Sequence, residues 1–112
     1  MSAIDKRHTP RLNRRFILRV APDGDEPKRW SFVTIHNLSA NGVFFTYDRP
    51  VREGMLLHMK IDFPDQVIEC VGRIVRIGGV RHIAFHDVAA HLENLHPEAK
   101  KYIETFVRRN NA

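Results

Sequence analysis

Met55-Leu56-Leu57-His58-Met59-Lys60-Ile61-Asp62-Phe63 is the stretch that decides the fold. Met55, Leu57, Met59, Ile61 and Phe63 alternate with Leu56, His58, Lys60 and Asp62. A period of two places one set on each face of a β-strand, giving an apolar face for a core and a mixed face for solvent. Downstream, Pro64-Asp65 makes a turn, and Val67–Ile77 reads as a long strand that Gly72 bends or bulges. Gly78-Gly79 then turns the chain into a last strand, Arg81–His86. Upstream, Val43–Tyr47 reads as a strand closed by Asp48-Arg49-Pro50. Before it, Asn37-Leu38-Ser39-Ala40-Asn41-Gly42 reads as a turn, because Asn-Gly supplies the positive φ angles that tight hairpins require. Trp30–His36 is aromatic and β-branched, and Phe16–Ala21 is a first strand ended by the turn formers Pro22-Asp23-Gly24-Asp25-Glu26-Pro27. About six short strands with no long helix between them argue for a mainly β antiparallel barrel or sandwich.

The C-terminus changes period. After Pro97, a favourable first helical residue, Ala99, Tyr102, Ile103, Phe106 and Val107 fall on one stripe of a helix over residues 97–109. Glu98 near its start and Arg108-Arg109 at its end suit the helix dipole. The stripe is expected to cover the barrel. A chain of 112 residues supports one core, and its 43% hydrophobic and 28% charged residues are those of a soluble globular protein. No apolar run approaches the roughly 18 residues a membrane span needs, and the N-terminus lacks the apolar region of a signal peptide. The single Cys70 excludes an internal disulfide and a cysteine-based zinc site. A cytoplasmic protein is expected, with no membrane insertion.

The net charge of +5 is confined to one end. Residues 1–19 hold six cations (Lys6, Arg7, Arg11, Arg14, Arg15, Arg19) against Asp5, and residues 20–112 hold 12 of each sign. Such a segment builds no core, so it is a solvated tail or an anion-binding element. Arginine, which forks onto phosphates and base edges, dominates it, and it runs directly into the apolar Phe16-Ile17-Leu18. Residues 1–15 are therefore expected to be a flexible basic arm on a domain spanning residues 16–112.

Catalytic chemistry finds no constellation. His82 and His86, read on one strand, would stand about 13 Å apart and could not share a zinc ion unaided. His91 and His96 lack a carboxylate at chelating spacing. Ser39 has no nucleophile-elbow context, the chain has no phosphate-binding glycine loop, and Cys70 reads as a small buried hydrophobe. No enzyme activity, metal or cofactor is expected.

Two patterns remain. Arg11-Leu12-Asn13-Arg14-Arg15 is an RxxxR ahead of the first strand, and Asn37-Leu38-Ser39-Ala40-Asn41-Gly42 has the form [D/N]xSxxG, beginning 22 residues after Arg15. Each alone is a weak signal. In this order and spacing they resemble the PilZ domain of bacterial cyclic-diguanylate (c-di-GMP) receptors. The resemblance covers nearly the whole chain, including a GRIVR-like late strand at Gly72–Arg76 and a terminal helix. It implies a six-stranded antiparallel β-barrel with a C-terminal α-helix and no fused catalytic domain.

By that resemblance Arg11 and Arg15 carry the first motif, Asn37, Ser39 and Gly42 the second, and Arg14 adds a phosphate contact. The chemistry agrees. Guanine presents O6 and N7 acceptors that match an arginine fork, and its N1–H and N2–H₂ edge seeks an acceptor such as the Asn37 oxygen. Ser39 can donate to a phosphate or accept from the base, and Gly42 permits close backbone approach. Arg15-Phe16-Ile17-Leu18-Arg19 is also RxxxR, but Arg19 would lie inside the first strand, which favours Arg11/Arg15. Asn37 departs from the commoner Asp. The resemblance implies a monomeric second-messenger receptor whose arm is ordered by c-di-GMP and read by a downstream protein effector. The alternatives are a ligand-free PilZ-like protein-interaction module and a small basic-armed barrel that binds nucleic acid. The neutrality of residues 20–112 counts against nucleic acid.

Overall fold

The computed structural model describes residues 16–82 and 85–110. In chain order it holds β1 (Phe16–Pro22), β2 (Ser31–Leu38), β3 (Gly42–Tyr47), β4 (Leu56–Asp62), β5 (Val67–His82), β6 (Phe85–Glu93) and one helix, α1 (Pro97–Asn110). The strands close into a barrel in the order β1-β2-β3-β6-β5-β4, with every neighbouring pair antiparallel. The fold is thus mainly β, and the choice between barrel and sandwich resolves to the barrel. Closure pairs every strand on both sides and leaves no open sheet edge.

The alternation around β4 does what its period dictates. Leu57, Met59, Ile61 and Phe63 are buried in the core, with Leu18, Val20, Ile35, Phe45, Ile74 and Val88 from the other strands. Each such side chain contributes about 1.5–3 kcal/mol by leaving water. The outward set is engaged as well. The Asp62 carboxylate accepts a hydrogen bond from the Arg19 guanidinium at 2.6 Å. His58 Nε2 lies 2.8 Å from Asp23 Oδ1, and Lys60 Nζ sits 4.6 Å from the Trp30 ring centroid.

The helix stripe covers the barrel as expected. Ile103 and Val107 are buried, and Phe63 meets the rings of Tyr102 and Phe106 edge-on at 5.0 and 4.9 Å. The Tyr102 hydroxyl donates to Asp65 in the β4–β5 turn, pinning the helix there. His96 caps the first turn: its Nδ1 accepts from the Glu98 N–H at 3.1 Å and its carbonyl from the Lys100 N–H at 2.9 Å. Among the described residues no helix is long and apolar enough to cross a membrane.

Several local expectations are corrected. Gly78-Gly79 is no turn: β5 runs through it to His82, and the extra residues are taken up by register slips against β6. The last strand is Phe85–Glu93 rather than Arg81–His86, so His82 and His86 lie on different strands. Gly72 sits in unbroken register opposite Leu57 and Leu92. A Cβ there would meet Met59 Cε at 2.6 Å, so this glycine makes room in the core instead of bulging the strand. Positive φ occurs at Gly24, Gly54 and Asn94 but not at Asn41 or Gly42. The expected basic arm, and with it Arg11, Arg14 and Arg15, lies outside the described residues.

Candidate functional site

β2 does not end at His36. It continues to Leu38, and its register against β3 steps from Ile35↔Phe45 to Asn37↔Phe44, one extra residue on the β2 side. Strict alternation from the buried Ile35 would point Asn37 into the core. The bulge at His36 turns Asn37 outward and returns the buried Leu38 to the interior. The displaced His36 packs against Phe44, ring centroids 5.7 Å apart, and reaches Thr46 Oγ1 at 2.7 Å. The Thr46 hydroxyl donates onward to Asp87 Oδ1 at 3.2 Å, so His36 Nε2 is the donor of its own bond.

The turn after β2 is held by Ser39. Its Oγ accepts the N–H groups of Asn41 and Gly42 at 3.2 and 3.3 Å, and its own N–H donates to the Gly42 carbonyl at 2.9 Å. Both lone pairs of the hydroxyl are occupied, which leaves its proton to donate. Of the two roles open to Ser39, donation to a phosphate is therefore the one the geometry permits. Gly42 is required for close packing: a Cβ there would stand 2.8 Å from the Ala90 carbonyl oxygen of β6.

A second bulge faces the first across the sheet. Between β5 and β6 the register steps from Ile74↔Ala90 to Arg76↔Ala89, which leaves both Val75 and Arg76 exposed on the outer face. The registers align Asn37, Phe44, Ala89 and Arg76 in one row across β2, β3, β6 and β5. The next row on the same outer face runs Gly42, His91, Arg73. Apart from Arg73, these residues, with Ser39 and Val75, line a cleft of about 430 Å³. That volume falls in the usual range for small-ligand sites. Among the described residues, the side chains of Asn37 and Arg76 have no hydrogen-bond or ion-pair partner.

The structure thus brings Asn37, Ser39 and Gly42 to one cleft and adds Phe44, Val75, Arg76 and His91, which sequence reasoning missed. The misplaced last strand hid His91. The alternation of Val88, Ala90 and Leu92 with Ala89 and His91 was the available signal. Arg19, the rival first-motif residue, stands elsewhere: it pairs in register with Phe32 and Lys60 and binds Asp62. Cys70 is packed against the core, where burial pushes its thiol up to about 11 and keeps it protonated near neutrality. Among the described residues no group of three or more His, Cys, Asp or Glu side chains is placed to hold a metal ion.

Comparison with known proteins adds the following. The chain is similar in structure to the inhibitor of motility MotI/DgrA of Bacillus subtilis, with TM-score 0.73 and 16% identity over 97% of this chain and 53% of that one. It is similar to MrkH of K. pneumonia, with TM-score 0.72 and 13% identity over 98% of this chain and 50% of that one. It is similar to the PilZ domain, with c-di-GMP, of YcgR from Escherichia coli, with TM-score 0.68 and 10% identity over 95% and 92%. It therefore spans about half the length of the first two, and at these identities the likeness is one of fold. No curated protein sequence matches the chain. The sequence model of the PilZ domain matches residues 5–109, nearly the whole of it. On that match, the chain belongs to the PilZ domain family.

Proposed function

We propose that this protein is a non-enzymatic cytoplasmic receptor for c-di-GMP, with Arg11, Arg14, Arg15, Asn37, Ser39 and Gly42 as its ligand-binding residues. The observation that carries the reading is the β2 bulge, which turns Asn37 out into the cleft where Ser39 and Arg76 also converge. The attachment of the basic segment supports it. Phe16, the residue after Arg15, pairs with Ile35, two positions before Asn37, so the chain enters β1 at the end of the barrel where the second motif stands. The Asn37 oxygen accepts from the guanine N1–H and N2–H₂ edge, and the Ser39 hydroxyl donates to a phosphate. Phe44 offers an aromatic face for a base, and Arg76 brings a guanidinium to the opposite wall.

In this mechanism the anionic ligand draws the arm down over the cleft. Ordering the arm changes the adjoining surface, and a downstream protein reads the change. The driving free energy is the difference in ligand contacts between the two states. Calorimetric titration with c-di-GMP, beside GTP, GMP and cyclic di-AMP, tests the reading. Saturable binding of c-di-GMP alone is expected, and its absence overturns the receptor. Trypsin should nick the arm quickly in the free protein and slowly at saturating ligand. Equal cleavage removes the clamp but leaves binding standing.

A further inference from the structure

His91 stands across the strand pair from Gly42, the last residue of the second motif. Gly42 has no side chain, and its backbone approaches β6 too closely for one, so nothing on β3 screens the imidazole from the cleft. The Leu92 N–H donates to the Asn41 carbonyl at 2.9 Å, which ties this part of β6 to the Ser39 turn. The ring is 54% exposed and lines the cleft. Its Nδ1 lies 3.1 Å from Glu93 Oε2. Glu93 in turn lies 3.6 Å from Arg73 Nε on β5, the residue paired in register with His91.

That contact decides what His91 can offer a ligand. A carboxylate only accepts, so the Nδ1 facing it carries the proton. In the neutral ring Nε2 is then a lone pair, which repels a phosphate oxygen. Only the imidazolium has both nitrogens as donors, holding Glu93 with one and a phosphate with the other. Among the described residues, the charged groups around the ring are Arg73 and Arg76 on β5 and Glu93 on its own strand, while the β2–β3 turn brings Ser39, Asn41 and Gly42 to the cleft.

We propose that His91 is a phosphate-binding residue of the cleft, that Glu93 positions it, and that the ligand therefore binds together with one proton. The proposal rests on the receptor reading above and adds to it a direction of pH dependence. The imidazolium gains population as pH falls, so affinity for the dianionic ligand rises from pH 8.0 to pH 6.0, by at most tenfold per unit for one linked proton. Charge on the ligand is constant there, and the arginines do not titrate.

Calorimetric titration of the full chain with c-di-GMP at pH 6.0 and 8.0 tests it. The parent should bind about tenfold or more tightly at pH 6.0. In buffers of different ionisation enthalpy, the binding heat should report net proton uptake. H91Q should weaken binding at pH 6.0 to near the pH 8.0 value and flatten the profile. E93Q separates positioning from packing. A Gln amide can donate to Nδ1, so a neutral ring can turn Nε2–H to the phosphate. E93Q should therefore retain binding and lose most of the pH dependence. A parent that binds equally at both pH values, or an H91Q that keeps the parent's profile, overturns this role while leaving the receptor intact. A parent that binds at neither pH overturns both.

Discussion

The two sides of the barrel follow different rules. β4 meets β1 through five consecutive register pairs and β5 through seven, without a slip. On the other side β2–β3 slips once and β5–β6 three times. On the regular side alternation is strict, apolar residues fill the core, and the outward Arg19, Asp62, Lys60 and His58 are matched with neighbours. On the bulged side two successive residues face outward at 36–37 and again at 75–76, and Asn37 and Arg76 go unmatched among the described residues. An unbroken ladder spends its polar groups on itself. A slipped one leaves them for a ligand, which is where bulges in sheets tend to be found.

The comparison predicts a clean separation of effects, beginning with the core. Ile61, fully buried between Leu18 and Ile68 on the neighbouring strands, is the strongest probe of the regular side. Ile61→Ala should cost about 2–5 kcal/mol in stability, from lost transfer energy and the cavity left behind. Denaturant unfolding measures this, and c-di-GMP affinity at low temperature, where the variant is still folded, should match the parent. A core truncation that weakened the ligand as much as the fold would erase the distinction.

On the ligand side the largest effect is expected outside the strands. Arg15→Ala should cost about 1.5–3 kcal/mol of binding, the worth of a charge-assisted contact, and hence tenfold or more in affinity. Its unfolding midpoint should stay at the parent's value, and Arg11→Ala should behave alike. If either variant lost stability and kept its affinity, the basic segment would belong to the fold and not to the cleft.

Next comes the bulge itself. Asn37→Ala removes the acceptor turned into the cleft and should weaken c-di-GMP by about 1–2 kcal/mol. Asn37→Asp presents two charged acceptors to the guanine donors and should hold or tighten binding, since charged acceptors make roughly twice as strong a bond. Side-by-side titrations under one salt condition decide it. Parent-like affinity for Asn37→Ala would leave residue 37 as a strand residue only.

How much of this was legible beforehand follows from the same division. On the regular side the period of two from Met55 to Phe63 is visible because no residue interrupts it. The helix stripe from Ala99 to Val107 is equally plain, and so is the pairing of the two motifs. The bulged side misleads because one extra residue reverses the apparent face of everything after it. Hence the sequence pattern ends β2 at His36, where alternation fails, though the strand continues to Leu38. Likewise Gly78-Gly79 carries turn residues, yet neighbouring β6 pairs the strand through them. The loss of β6 beyond His86 then concealed His91 and the floor residue Ala89. Of the two reasons the sequence offers for Gly42, the structure keeps one: it serves close approach, here of β3 to β6, not a positive φ.

The smallest effect is the sharpest test of which arginines form the first motif. Arg19 lies on the regular side, between Phe32 and Lys60 in register, with its guanidinium 2.6 Å from Asp62. The two side chains are 27% and 34% exposed, so water and salt screen the pair. Such surface pairs contribute about 0.2–1 kcal/mol, and the Arg19 Nε, buried without a hydrogen-bond partner among the described residues, reduces the net value of placing the arginine there. Arg19→Ala should therefore lower stability by less than about 1 kcal/mol, and by less still in high salt. Because the Asp62 contact already engages this guanidinium away from the cleft, c-di-GMP affinity should not change. Unfolding curves at low and high salt, paired with one titration, measure both quantities on the same sample. If Arg19→Ala lost tenfold in affinity while Arg11→Ala lost none, the motif would read Arg15/Arg19. The regular side would then also contribute to the ligand, and the division between a self-satisfied ladder and a ligand-facing one would fail at the residue chosen to define it.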